Sequence, residues 1–163
     1  MLCFPCEAEH DCAGDTSTPA SWPSVRGGCQ HVDVLDLAGL ERAIRASWSP
    51  ETAFASADYL ARAPGPSRGQ CGTTALVVHD LLGGEVLVAA VAVGGVVDGV
   101  HYWNRLPDGG CVDLTADQFV DGEVVLAPRV VERPGSPKPD RARAAYRLLR
   151  ERVLAALGNP SEG

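Results

Sequence analysis

Ser67-Arg-Gly-Gln-Cys-Gly-Thr-Thr-Ala-Leu-Val-Val-His-Asp-Leu-Leu-Gly-Gly84 restricts the possible folds more than any other stretch of this chain. Its centre is apolar enough for a buried helix. Pro64, Gly65 and Pro66 disfavour helix before it, and Gly83-Gly84 supplies a left-handed stop after it. A buried helix needs other elements around it, so the chain must wrap the rest of its secondary structure about this one. Cys71 falls in the first turn, where unpaired backbone N–H groups and the positive end of the helix dipole favour a thiolate over a thiol. The same face continues through Thr74, Ala75, Val78 and Leu82. The competing interpretation is a packed core cysteine, since free Cys is among the most buried residue types.

The chain has 163 residues, of which 45% are apolar, enough for one domain with a core of its own. A net charge of −7 argues against a nucleic-acid partner. No run approaches the roughly 18 apolar residues of a membrane helix, and Met1-Leu-Cys-Phe-Pro-Cys6 lacks the parts of a signal peptide. A cytoplasmic location follows as the expectation, with the six cysteines as thiols, ligands or catalysts rather than a disulfide frame.

Residues 1–31 read as a separate cysteine-rich leader, either disordered or metal-binding. Cys3, Cys6, Cys12 and Cys29 are the candidate zinc ligands, with His10 and His31 as further candidates. One C-x2-C knuckle without a second pair at finger spacing is a weak signal, and no other cofactor is expected. Residues 32–158 read as a single α+β domain, with 159–163 as a tail.

Within that domain Asp36 caps a helix whose apolar positions Leu37, Leu40, Ile44 and Trp48 share one face, leaving Arg42 and Arg45 solvated. A short helix is expected over 51–62, then the Cys71 helix. Strands are expected over 86–93, 100–106, 111–115 and 124–131, with a helical turn over 116–119. Asp140 opens a last amphipathic helix with Ala142, Tyr146, Leu149, Val153 and Leu157 as its stripe, and Arg143, Arg147, Arg150 and Arg152 outward.

His101 and Asp113 lie on successive strands, and the turn between them permits a geometric test. Leu106-Pro107-Asp108-Gly109 has Pro where φ is preset, then Asp, then Gly where a left-handed residue is wanted. These residues favour a three-residue loop closed by a G1 bulge. That loop pairs Leu106 with Gly110, and hence Trp103 with Asp113 and His101 with Thr115. His101 and Asp113 become diagonal neighbours on one face, about 7–8 Å apart at the backbone. A two-residue loop would move Asp113 to the opposite face.

A cysteine opening a buried helix, followed by His and Asp on antiparallel strands, is similar in order to the papain-like and transglutaminase-like cysteine enzymes. More narrowly, Trp48-Ser49-Pro50-Glu51-Thr52, Gly69-Gln70-Cys71-Gly72-x-Thr74-Ala75-Leu76, Asp80-Leu81-Leu82-Gly83-Gly84-Glu85, His101-Tyr102-Trp103-Asn104 and Asp113-Leu114-Thr115-x-x-Gln118-Phe119 resemble the small bacterial YunG-like family, over about residues 36–157. His79 stands where that resemblance leads one to expect Gln. A papain-like fold is implied, with the Cys helix packed on a small antiparallel sheet.

The expected chemistry is a Cys71 thiolate attacking a carbonyl, His101 moving the proton and Asp113 orienting the ring. The Cys71 N–H, with Gln70 or a neighbour such as Gly72, would meet the oxyanion. Trp103 would floor a substrate pocket or simply pack. The substrate class is a small amide, peptide or thioester, with no membrane or nucleic-acid partner. The alternatives are a non-catalytic binding module on the same scaffold, or a zinc protein whose leader mediates an interaction.

Overall fold

The computed structural model describes residues 36–62, 65–132 and 140–158. The candidate zinc ligands Cys3, Cys6, Cys12 and Cys29, and His10 and His31 with them, lie outside the described residues, as do the leader and tail boundaries.

The first helix, α1 (Leu37–Ser47), starts where the Asp36 carboxylate accepts the Gly39 N–H at 2.5 Å, as its cap position demands. It ends at Trp48, whose extended backbone leads into Ser49-Pro50. Its Leu40 and Ile44 side chains are fully buried. The second helix, α2 (Ala57–Arg62), is shorter than the 51–62 expected from sequence. Ser56 marks its true start: the Ser56 hydroxyl accepts the Tyr59 N–H at 3.2 Å and its carbonyl the Leu60 N–H at 3.1 Å. Residues 49–52 upstream form a turn instead, closed on the Thr52 hydroxyl.

Helix α3 (Cys71–Leu82) has the expected limits, and Gly83, at φ 75°, ends it by donating its N–H to the His79 carbonyl. Helix α4 (Asp140–Gly158) presents Ala142, Ala145, Leu149 and Val153 inward. It packs on α1 and α3, and the three helices share one apolar cluster of Leu40, Ile44, Val77, Val78, Leu149 and Val153, joined by Leu114.

The sheet is antiparallel. Strands β1 (Glu85–Val93) and β2 (Val96–Arg105) form a hairpin with a bulge at Val91/Ala92, turning through Gly94 and Gly95 at φ 58° and 82°. Outside β2 lies β3 (Cys111–Val112); the other edge of β1 is covered by β4 (Glu123–Val125) and β5 (Arg129–Val131) in succession. The single strand expected over 124–131 is thus broken in two. Leu126 still donates to the Ala90 carbonyl, but Pro128 has no N–H, and the register has moved by one residue when pairing resumes at Arg129. A 3₁₀ turn occupies Ala116–Gln118.

Two arginines expected to be solvated are structural ties. Arg45 on α1 bonds Glu41, Asp117 and the Leu114 carbonyl, fastening the helix to the segment after β3. Arg152 on α4 reaches the Ser47 carbonyl and the Ser49 hydroxyl. Both lie at helix surfaces, where periodicity sees only a polar position.

Candidate functional site

Cys71 is the first residue of α3, and its thiol is free and half-buried. The approach to it is rigid. Gln70, 2% exposed, sends its amide N–H to the Ser49 carbonyl at 2.9 Å, while its oxygen receives the Thr52 hydroxyl at 3.0 Å. Phe54 N–H donates to the Gly69 carbonyl at 2.8 Å, so the 49–54 turn and the 67–70 turn are laced together. The Gln70 side chain therefore braces the loop. With both ends of its amide engaged there, Gln70 is turned away from the one oxyanion role the sequence offered it, while the first-turn backbone N–H groups of Cys71 and Gly72 have no intrahelical acceptor. Against Gly72 lies the Tyr102 ring, 3.8 Å from where a Cβ would stand.

Strand β2 supplies the histidine. The 106–110 turn forms as the Pro-Asp-Gly chemistry requires: Leu106 N–H donates to Gly110 O at 2.8 Å and Gly109 N–H to Leu106 O at 2.9 Å, with Gly109 at φ 87°. The ladder pairs Asn104 with Val112 and Arg105 with Cys111, the register that sets Trp103 opposite Asp113. Pairing stops there, so β3 is shorter than expected. Asp113 leaves the ladder with its Oδ1 accepting both the N–H and the hydroxyl of Thr115, at 3.0 and 3.1 Å. Its Oδ2 is 2.6 Å from His101 Nε2.

The His101 ring is 2% exposed, stacked on Trp103 at 5.3 Å and met edge-on by Phe119 at 4.7 Å. Burial pushes its pKa down. The hydrogen bond to Asp113, then that to Cys71 and the negative charge of both, overcome this and lift it from 6.5 to about 9. Asp113 is thus bonded to the His101 ring, and Cys71 is close enough to that ring to contribute to its raised pKa.

Three residues that sequence reasoning did not single out complete the surroundings. Gln118, 4% exposed, lies with its amide nitrogen 2.9 Å from His101 Nδ1. Arg68 and Glu123 form a two-pronged ion pair at 2.7 and 2.8 Å with side chains 2% and 3% exposed. The Arg68 guanidinium also donates to the Gln118 carbonyl at 2.8 Å and lies 3.7 Å from the Tyr59 ring centroid. This pair ties the loop before Cys71 to the loop after Gln118. Arg68 holds the Glu123 carboxyl below its usual range, against the upward push of burial. A signal existed: Gln118 sits in the Asp113–Phe119 string, five residues beyond an acid already under suspicion. Arg68 gave none, because nothing local distinguishes a buried loop arginine from a solvated one.

Of the other candidates, Trp103 packs against the imidazole, and Cys111 is exposed on β3. His79 stands near the far end of α3, its Nδ1 3.8 Å from Asp80. Among the described residues no group of three or more His, Cys, Asp or Glu side chains could hold a metal ion, and no helix is long and apolar enough to cross a membrane.

The described residues thus define an α+β domain, helices packed with a small antiparallel sheet, carrying a cysteine–histidine–aspartate cluster where helix and sheet meet. The chain belongs to the YunG family, whose model, described as YunG protein, matches residues 36–158. No curated protein and no solved structure gives a significant match.

Proposed function

We propose that this domain is a papain-like cysteine hydrolase or acyltransferase acting on a small amide, peptide or thioester. The observation that carries this is the buried His101 ring, anchored through Nε2 to an Asp113 carboxylate that is itself held by Thr115, with the Cys71 side chain also close enough to raise the ring's pKa.

The chemistry follows from those positions. The Cys71 proton passes to the imidazole. The thiolate forms a bond to the substrate carbonyl carbon as the C=O π pair moves to oxygen, where the first-turn N–H groups of α3 and the helix dipole meet the charge. Collapse of this adduct re-forms C=O and breaks the bond to the leaving amine, which takes its proton from the imidazolium. Water then attacks the thioester, giving a proton back to His101. The acid leaves as the sulfur regains its electron pair, and an amine in place of water gives transfer. Asp113 keeps the ring's orientation throughout.

Selective alkylation tests the proposal. Cys111 is the more exposed thiol and Cys71 only half-buried, so exposure alone would make Cys111 react first. Iodoacetamide near neutral pH, followed by peptide mapping, is expected to label Cys71 ahead of the other five cysteines. That lead should vanish in His101→Ala. A silent Cys71 beside a normally reactive Cys111 would leave the non-catalytic module as the correct description.

A further inference from the structure

We propose that Gln118 is a positioning residue for this proton transfer: its side-chain N–H and a proton on Nδ1 of His101 compete for the same line, so Gln118 holds down the ring's proton affinity and selects its tautomer. This rests on the Cys71–His101–Asp113 assignment and adds to it a control.

The amide's orientation is fixed by its neighbours. The Thr115 carbonyl, 3.1 Å from Nε2 of Gln118, can only accept, so nitrogen rather than oxygen must face it. The oxygen lies instead 3.5 Å from the Tyr59 hydroxyl, a donor. The nitrogen has a second hydrogen, and its second neighbour is His101 Nδ1 at 2.9 Å. A hydrogen directed there requires a lone pair on Nδ1. The ring's own hydrogen then sits on Nε2, 2.6 Å from Asp113 Oδ2. Three groups thereby select the neutral Nε2–H tautomer, whose Nδ1 is the free base.

A proton arriving on Nδ1 sets two N–H groups against each other across that 2.9 Å contact. Turning the amide over is no remedy, because its oxygen would then face the Thr115 carbonyl. Gln118 must withdraw, and each protonation of Nδ1 costs its hydrogen bond.

The charged neighbours act in the other direction. Asp113, from the segment after β3, and Cys71, at the head of α3, both favour the imidazolium. Behind Gln118 the Arg68–Glu123 pair is neutral overall, and Tyr59 on α2, whose pKa burial raises, stays a hydroxyl donor. Besides burial under Trp103 and Phe119, Gln118 is the hydrogen-bonding neighbour of the ring that favours its neutral form. Its effect is to bring a strongly basic ring back toward the range where a proton can be both taken and returned near neutral pH.

The test is the titration of His101 by NMR in isotopically labelled protein, with the four histidines distinguished by substitution. It compares wild type with Gln118→Leu and, as a second variant of unbranched shape, Gln118→Met. Each leaves the Thr115 carbonyl its backbone bond from the Gln118 N–H. The His101 midpoint is expected to rise by up to about one pH unit, or up to about tenfold in proton affinity, the most a single hydrogen bond delivers. Alkylation of Cys71 at fixed neutral pH should quicken in step, as the thiolate–imidazolium pair gains population. A merely structural role would lower the melting temperature without raising the midpoint. An unchanged or lowered midpoint in a variant that still unfolds cooperatively overturns the inference. Failure of the underlying assignment looks different: the His101 midpoint would then be the same in Cys71→Ala as in wild type, whatever the Gln118 variants do.

Discussion

Replacing Arg68 by methionine is expected to destabilise this domain as much as truncating a core side chain, because of what it leaves behind. Glu123 would remain with its side chain 3% exposed, losing both prongs of the guanidinium and keeping the Val120 N–H at 3.2 Å as its donor. The Gln118 carbonyl would lose the Arg68 donor as well. Breaking a buried pair by removing one partner costs about 3–5 kcal/mol. For a domain of this size that lowers the melting temperature by about 10–20 °C. The double exchange Arg68→Met with Glu123→Leu removes the stranded charge, and should recover most of the loss because the pair's own net worth is small.

Calorimetry of the wild type, both single variants and the double variant closes the cycle. Acid sensitivity gives a second reading. Glu123 has a lowered folded pKa, so its contribution is complete above the ordinary carboxylate range and lost as pH falls through the folded value. Wild type should weaken in acid more steeply than the double variant. A single exchange as mild as a surface substitution, or a double variant no better than the singles, would refute the claim that this pair is desolvated and locks the two loops.

Asp113→Asn should bring the His101 midpoint down from about 9, because burial then acts with its chief opponent gone and only Cys71 left to offset it; NMR titration reads this directly. The same shift sets a stability profile. In wild type the imidazolium's contribution is complete below the ordinary histidine value and lost as pH rises through about 9. Melting curves between pH 6 and 10 should show that alkaline loss in wild type and not in the Asn variant. Gly84→Ala should cost at least about 2 kcal/mol by urea unfolding: the residue sits at φ 84°, and its new Cβ would lie 2.2 Å from the Arg105 carbonyl oxygen, a backbone atom that cannot swing aside.

Much of the site was legible because its geometry is set by short-range chemistry. Pro107, Asp108 and Gly109 dictate a turn, the turn dictates a register, and the register sets which side of the sheet Asp113 faces. That chain of consequences reached the His101–Asp113 bond from residues within fifteen positions of one another. The limits of α1 and α3 were legible for the same reason, since Asp36 and Gly83 act on the backbone beside them. Element ends that depend on competition were not. Asp113 and Thr115 form a local turn in place of a longer ladder, and a single missing N–H at Pro128 divides a strand.

Local pattern supplied the helices, the hairpin and the candidate triad, since propensity, capping and turn geometry act between near neighbours. The Arg68–Glu123 lock, the bracing role of Gln70 and the contact of Gln118 with the imidazole arose from packing. Each joins segments separated by between 17 and 55 positions, Gln118 to His101 the nearest and Arg68 to Glu123 the farthest. A polar side chain in a loop carries no periodic signal of burial. Its partner, and with it its role, exists once folding has removed the water that would otherwise have satisfied it.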